Sequence, residues 1–241
     1  SEAQGIKSLV AFWSIDVANQ VIEKYGQASL ITATNVFAHI DDLEQVLKGV
    51  NILLKDEGEF VIENPYLIEQ LKSRSFDLVY HEHLEYWNLK ALSTLYRRHG
   101  LFISEVEQTS VHGGSIRVHA RKGEGKDLTD VFAYNDLIQF KESVKQNKSK
   151  LISLLSVIKD NNQTIVGYGA PAKSTTLLNY FGIGKDILDY IVDDSEWKQG
   201  LYTPGKHIPI VKDIGNPDYI LILAWNFAKP IMESHKDFKG K

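Results

Sequence analysis

Tyr80-His81-Glu82-His83 places a phenol, two imidazoles and a carboxylate in one run, directly after the short segment Phe76-Asp77-Leu78-Val79. An imidazole exchanges protons near neutral pH. A carboxylate beside it can orient it, and a phenol can donate to an oxyanion as one develops. This set suits removal of a proton from a carbon next to a carbonyl, with nearby donors holding the enolate. The same residues allow two other readings. His81 and His83, at i and i+2 on a strand, would face the same way and could begin a metal site, but no third ligand is evident, so no metal is expected. A hydrogen-bonded surface cluster at a strand end would use the same polar residues and do no chemistry.

Further polar groups follow predicted strands, the edge where α/β sheets place ligands. Asn35 and His39 come after Ser29–Thr34, although His39 could simply support the helix that starts near Asp41. Gly167-Tyr168-Gly169-Ala170-Pro171-Ala172-Lys173 joins a strand to a helix. Glycines there let the backbone approach a phosphate, and the helix start supplies N–H groups and positive potential. Lys173, Ser174 and Thr175 add a cation and two hydroxyls. Asp193-Asp194 ends the next strand, roughly where dinucleotide folds keep a ribose-binding carboxylate. Lys173 stands where the dinucleotide fingerprint has its third glycine, so a phosphate-bearing ligand is a better expectation than a dinucleotide. A tight turn with an acidic loop downstream is the plain alternative. His112-Gly113-Gly114-Ser115 reads as a hairpin turn or as part of a ligand edge, and Trp225-Asn226-Phe227 follows the most hydrophobic strand, Tyr219–Leu223.

The elements that must position these groups fall into two α/β halves. In the first, residues 1–124, the pattern predicts a helix over Asp16–Tyr25 stopped by Gly26 and a strand over Ser29–Thr34. A helix capped by Asp41 or Asp42 and closed by Gly58 follows, then a strand over Glu59–Ile62 and a helix over Leu89–His99. Leu101–Val106 and Ser115–Ala120 alternate as a strand pair. Lys122–Asp127 reads as a linker. The second half, residues 125–241, leads with a helix over Leu128–Ile158, with room for one break near Tyr134-Asn135. It continues with strands over Gln163–Val166, Ile187–Val192 and Tyr219–Leu223 and a helix over Ala170–Tyr180.

A net charge of -4 provides no broad basic field for nucleic acid, and the absence of cysteine excludes disulfides, thiolate metal sites and cysteine nucleophiles. No apolar run approaches the ~20 residues that span a bilayer, and the start does not read as a signal peptide, so a cytoplasmic location is expected.

Taken in order, Asn35-Val36-Phe37-Ala38-His39-Ile40, Glu63-Asn64-Pro65-Tyr66, Tyr80-His81-Glu82-His83, Val111-His112-Gly113-Gly114-Ser115, Gly167–Lys173, Gly200-Leu201-Tyr202-Thr203-Pro204-Gly205 and Leu223-Ala224-Trp225-Asn226-Phe227 resemble the C-terminal two-thirds of the S-adenosylmethionine-dependent sugar C-methyltransferases. These enzymes methylate a carbon, typically C-3, of nucleotide-linked 4-keto-deoxysugars. The resemblance implies the later part of a class I methyltransferase sheet followed by a Rossmann-like domain that grips the nucleotide sugar. It implies His83 as the base for the C-3 proton, with Tyr80, Glu82, His39 and Asn35 around the reacting centre. It further implies substrate contacts from Gly167, Gly169, Ala170, Pro171, Lys173, Ser174, Thr175, Asn226 and His112. S-adenosylmethionine is the implied methyl donor. The zinc cysteines of the family's N-terminal domain and its Gly-rich donor turn are not in this sequence, so the chain is expected to be a fragment or natural truncation with an incomplete donor site. Zinc is expected only in that other domain, and association through the shortened sheet's edge is a further expectation. Two rivals stand beside this reading: a non-catalytic nucleotide-sugar-binding module, and a nicotinamide-dependent oxidoreductase built on Gly167-Tyr168-Gly169.

Overall fold

The computed structural model describes residues 5–130 and 133–241. Its chain divides into two compact units, Ser1–Glu69 with Leu84–Phe132 and Gln70–His83 with Ala133–Lys241. The segment that carries Tyr80 and His83 thus packs with the second unit, although both its flanks belong to the first.

In the first unit, Ser14 Oγ accepts from Val17 N–H at 3.2 Å to start helix α1 (Ile15–Tyr25), and Gly26, at φ 78°, ends it. Strand β1 (Ala28–Thr34) follows, then helix α2 (Leu43–Leu53), which Asp42 caps by accepting from Gln45 N–H at 2.9 Å. Its buried Leu43, Val46, Leu47 and Val50 repeat at i, i+3, i+4 and i+7, the stripe that faces a core. The helix does not run on to Gly58. Strand β2 (Leu54–Pro65) begins at once, because Leu54 pairs with Ala28 and its side chain is fully buried. Gly58 lies inside that strand, where a Cβ would come 2.7 Å from Leu54 Cδ1.

Helix α3 (Leu67–Ser73) follows β2, and helix α4 (Leu89–Arg98) is capped by Asn88 Oδ1 accepting from Ala91 N–H at 2.8 Å. Strands β3 (Leu101–Thr109) and β4 (Ser115–Lys122) are joined through His112, Gly113 and Gly114, all with positive φ. The sheet order is β1-β2-β4-β3, with β1 and β2 parallel and β4 antiparallel to both of its neighbours. One face buries Phe37, Phe60, Trp87 and Tyr96, with Phe37 and Trp87 centroids 5.6 Å apart. On β2, β3 and β4 the other face is charged: Arg117 reaches Glu63 and Glu107, each at 2.9 Å, and His119 lies 3.2 Å from Glu59. This period-2 split is what a sheet with one buried face requires.

In the second unit, helix α5 (Tyr134–Asp160) starts later than Leu128. Ala133 N–H donates to Asp136 at 2.8 Å at its start, while Leu128 N–H is held by Ser93 Oγ at 3.1 Å. Strand β5 (Ile165–Tyr168), helix α6 (Ala172–Phe181), strands β6 (Ile191–Val192), β7 (Ile210–Val211) and β8 (Tyr219–Ile222) and helix α7 (Ala228–Ser234) complete it. Strand β6 is shorter than Ile187–Val192 because Ile187 and Leu188 turn back onto the Gly184 carbonyl, at 3.1 and 2.9 Å. All four strands are parallel, in the order β7-β6-β5-β8. Crossing from β7 at one edge to β8 at the other puts a topological switch point between β5 and β8. Open parallel sheets bind ligands beyond the carboxyl ends of their strands at such a point. Both units are α/β, as expected.

Candidate active site at the parallel-sheet switch point

Gly167 and Gly169 allow β5 and its neighbours to close on each other. A Cβ on Gly169, whose φ is 90°, would sit 2.6 Å from Ala224 Cβ, and one on Gly167 would sit 2.8 Å from Ile191. The turn after β5 already holds an anion of its own. Ala170 N–H donates to Asp193 Oδ2 at 2.6 Å, and Asp193 also accepts from Ser195 N–H at 2.9 Å and Lys198 at 3.1 Å. Burial works against the Asp193 charge, but the Ala170 and Ser195 N–H groups and Lys198 outweigh it and hold the carboxyl below its ordinary range. Asp194 accepts from the Tyr168 hydroxyl at 2.9 Å. Ser174 Oγ, 2.7 Å from the Pro171 carbonyl, and the half-buried Thr175 complete the first turn of α6.

Lys173 and Asn226, far apart in sequence, meet across the switch point, the ammonium donating to Asn226 Oδ1. Lys173 Nζ also lies 4.3 Å from the Trp225 ring centroid, a cation–π contact. On the Trp225 indole, Nε1–H donates to Asp77 Oδ2 at 2.6 Å. Burial pushes the Asp77 carboxyl up, offset in part by the indole and by Lys173; burial likewise pulls the Lys173 ammonium down, offset by Asp77. Beside this cluster is a cavity of about 460 Å³ lined in part by Arg74, Phe76, Lys150 and Leu177, a size common for small-ligand sites.

The 3-10 turn Phe76–Leu78 leads into Tyr80–His83. His83 Nδ1 lies 2.9 Å from the Leu78 carbonyl, which can only accept, so Nδ1 carries a hydrogen. In the neutral ring, Nε2 therefore has the lone pair, and the Tyr80 hydroxyl lies 3.0 Å from it. The two rings lie 4.2 Å apart between centroids, tilted by 33°. Burial, then the charges of Glu82 and Asp77, push the Tyr80 phenol up, so it stays a donor. Glu82 and His81 are exposed in the turn, not on a strand, so the same-face argument for a metal pair does not apply to them.

Asn35, His39 and His112 belong to the first unit. Asn35 follows β1 at φ 53°, its N–H donating to the Glu63 carbonyl at 2.8 Å; His39 closes the 3-10 turn Phe37–His39, and His112 is exposed in the β3–β4 turn. Residue-type reasoning passed over three groups. Asp77 stands in the short segment Phe76-Asp77-Leu78-Val79 and is assigned no role there, and Trp225 is placed at the ligand edge beside Asn226 without a role of its own. Asn64 is 1% exposed with both amide atoms unpartnered, next to the carboxyl end of β1, where Asn35 Oδ1 is also buried and unpartnered. A polar residue inside the apolar alternation of β2 was the available signal.

An α/β chain with a hydrogen-bonded tyrosine–histidine pair on its Rossmann-like unit is the class of protein these observations define. The family described as "C-methyltransferase C-terminal domain" matches residues 110–241, and one described as "Methyltransferase domain" matches residues 5–106. The chain belongs to the C-methyltransferase family. It is 34% identical to the C-methyltransferase NovU of Streptomyces niveus over 98% of its own length, and it spans 60% of that relative. Among solved structures, CalO1, a methyltransferase in calicheamicin biosynthesis in its SAH-bound form, overlaps 40% of this chain and 31% of its own at 15% identity and a TM-score of 0.34. TnmH overlaps 39% and 30% at 24% identity and a TM-score of 0.31. Overlaps this small carry no argument about function.

Proposed function

We propose that this chain carries the acceptor side of an S-adenosylmethionine-dependent C-methylation of a nucleotide-linked, dTDP-type 4-keto-deoxysugar. The observation that supports it most is the His83 ring. Its Nδ1–H is committed to the Leu78 carbonyl, which leaves Nε2 as the basic atom beside the Tyr80 hydroxyl. A 4-keto group acidifies the C-3 hydrogen. His83 Nε2 takes that proton, and the Tyr80 hydroxyl, displaced from the nitrogen by the incoming C–H, becomes a donor to the enolate oxygen. Lys173 and Asn226 face the diphosphate at the switch point, with Gly167, Gly169, Ala170, Pro171, Ser174 and Thr175 shaping the turn beneath it. Glu82 lies in the same turn as His83, and roles for His39, Asn35 and His112 of the first unit are taken from the family resemblance alone.

S-adenosylmethionine supplies an electrophilic methyl group when bound. The residues present fit it only in part. Asn35 and Asn64 offer orphaned amide atoms at the strand ends, but among the described residues the first unit has no Gly-rich strand-to-helix turn to hold the donor. The outer edge of β1 is where a further strand, or a second copy of the chain, adds to the sheet; light scattering gives the oligomeric state.

Deuterium wash-in from heavy water at C-3 of a dTDP-4-keto-deoxysugar, read by mass spectrometry, tests the reaction without the donor. Exchange that vanishes in His83→Gln, with binding of the sugar nucleotide within a few-fold, is the expected result. Tight binding without exchange in the unaltered chain would leave a binding module. A spectral change on adding reduced nicotinamide cofactor would favour an oxidoreductase.

A further inference from the structure

We propose that Asp77 is a positioning residue for His83, acting through the Trp225 indole and the 3-10 turn Phe76–Leu78. The proposal rests on the reading of His83 as the base.

Asp77 is 4% exposed, and a carboxylate so buried costs stability unless it is well partnered. An apolar residue of similar size would fill the space at lower cost. What the carboxylate adds is direction, since its bond to Trp225 Nε1–H, at 2.6 Å, fixes where the middle of the turn lies. Trp225 is itself fixed from above by Lys173 at 4.3 Å, and Lys173 is held by Asn226.

The turn needs such an anchor. Its backbone is closed by Leu78 N–H to the Ser75 carbonyl at 3.3 Å, Val79 N–H to the Phe76 carbonyl at 2.9 Å and Phe76 N–H to the Arg74 carbonyl at 2.9 Å, and bonds of such tight turns are poorly aligned. Phe76 stacks on Phe181 at 4.9 Å and 12°, a contact that tolerates sliding. Asp77 supplies the directional one. The next residue, Leu78, presents the carbonyl that takes Nδ1–H of His83 at 2.9 Å. If that peptide turns away, the Leu78 carbonyl no longer commits the hydrogen to Nδ1, and the Tyr80 hydroxyl, which can donate to Nε2 or accept from it, suits either tautomer. The imidazole then divides between its two tautomers, and the one with hydrogen on Nε2 has no lone pair at the basic position.

The test is ¹⁵N NMR of histidine-labelled full chain at about pH 8.5, above the ordinary imidazole range. The His83 signals are assigned by their loss in His83→Gln. The unaltered chain shows the Nδ1–H tautomer. Asp77→Ala and Trp225→Phe each give a mixture of tautomers, while Asp77→Asn, whose amide oxygen still accepts from the indole, restores Nδ1–H. In parallel, C-3 exchange falls about 10- to 100-fold in Asp77→Ala and Trp225→Phe, with the KM for the sugar nucleotide within about threefold. Persistence of a pure Nδ1–H tautomer in the folded variants overturns the proposal; if one variant does not fold, the other decides. Absence of C-3 exchange in the unaltered chain would defeat the reaction reading alone, because the tautomer measurement still judges Asp77.

Discussion

Replacing Asp193 by alanine removes the acceptor of three donors: Ala170 N–H at 2.6 Å, Ser195 N–H at 2.9 Å and Lys198 at 3.1 Å. A hydrogen bond to a charged acceptor contributes about 1.5–3 kcal/mol, and an orphaned buried N–H costs a similar amount. The Lys198 side chain is 40% exposed, so its share is ~0–1 kcal/mol, and water can replace part of the Ser195 bond. The loss is then about 2–5 kcal/mol, centred on the ladder that joins β5 to β6. Hydrogen exchange at Gly167 and Gly169, which donate to the carbonyls of Tyr190 and Val192, reads that ladder directly. At 1.36 kcal/mol per decade the expected acceleration is about 30-fold to several thousand-fold. Asp193→Asn retains one accepting oxygen and falls between. The pH dependence has a definite sign. The folded pKa is depressed, so the stabilisation is present above the unfolded value of about 3.9 and is lost as pH falls through the lower folded value. The gap between the two proteins therefore stays level from about pH 5 to 8 and closes only in acid. Exchange within twofold of the unaltered chain at neutral pH, or a gap that closes near pH 7, refutes the reasoning.

Gly169→Ala combines a positive φ with a Cβ 2.6 Å from Ala224 and should cost the second unit about 2–5 kcal/mol, measured by denaturant unfolding with a probe in that unit. Tyr80→Phe removes the hydroxyl 3.0 Å from His83 Nε2; C-3 exchange should fall roughly 10- to 100-fold, with sugar-nucleotide affinity changed by less than about threefold. Lys173→Met removes the cation that faces the proposed diphosphate, so dTDP affinity measured by calorimetry should fall about tenfold or more and lose much of its salt dependence.

Much of the architecture could be read from residue patterns. Asp42 is an N-cap, Gly26 is a stop, and the Leu43-Val46-Leu47-Val50 stripe is a buried helix face, all local signals with local causes. What escaped was decided by pairing partners. Leu54 enters a strand because Ala28 is opposite it, so Gly58 could not act as a helix stop. Strand β7 has only two residues and carries no periodicity to detect. At the site, the Tyr80–His83 pair was legible because both residues lie in one turn, and Lys173 and Asn226 because both follow strands. Asp77 was not legible, since its partner Trp225 lies on another element and no sequence window contains both. The opposite happened at Ala170, where a turn that reads as an anion cradle is filled by the protein's own Asp193.

The bond between Asp77 and Trp225 spans 148 residues, and the Phe76 stack also waits for Phe181. Ribosomes add about 5–20 residues per second, so roughly 7–30 s pass between synthesis of the turn that carries the base and synthesis of the indole that holds it. Throughout that interval the first unit can complete its sheet on both sides of residues 70–83, while those residues have no bed of their own. The nascent chain therefore carries Phe76 and Asp77 without Phe181 and Trp225, the groups that stack on the one and donate to the other. Dissection of the protein meets the same constraint: a contiguous fragment cut at residue 133 leaves the base on one piece and its support on the other.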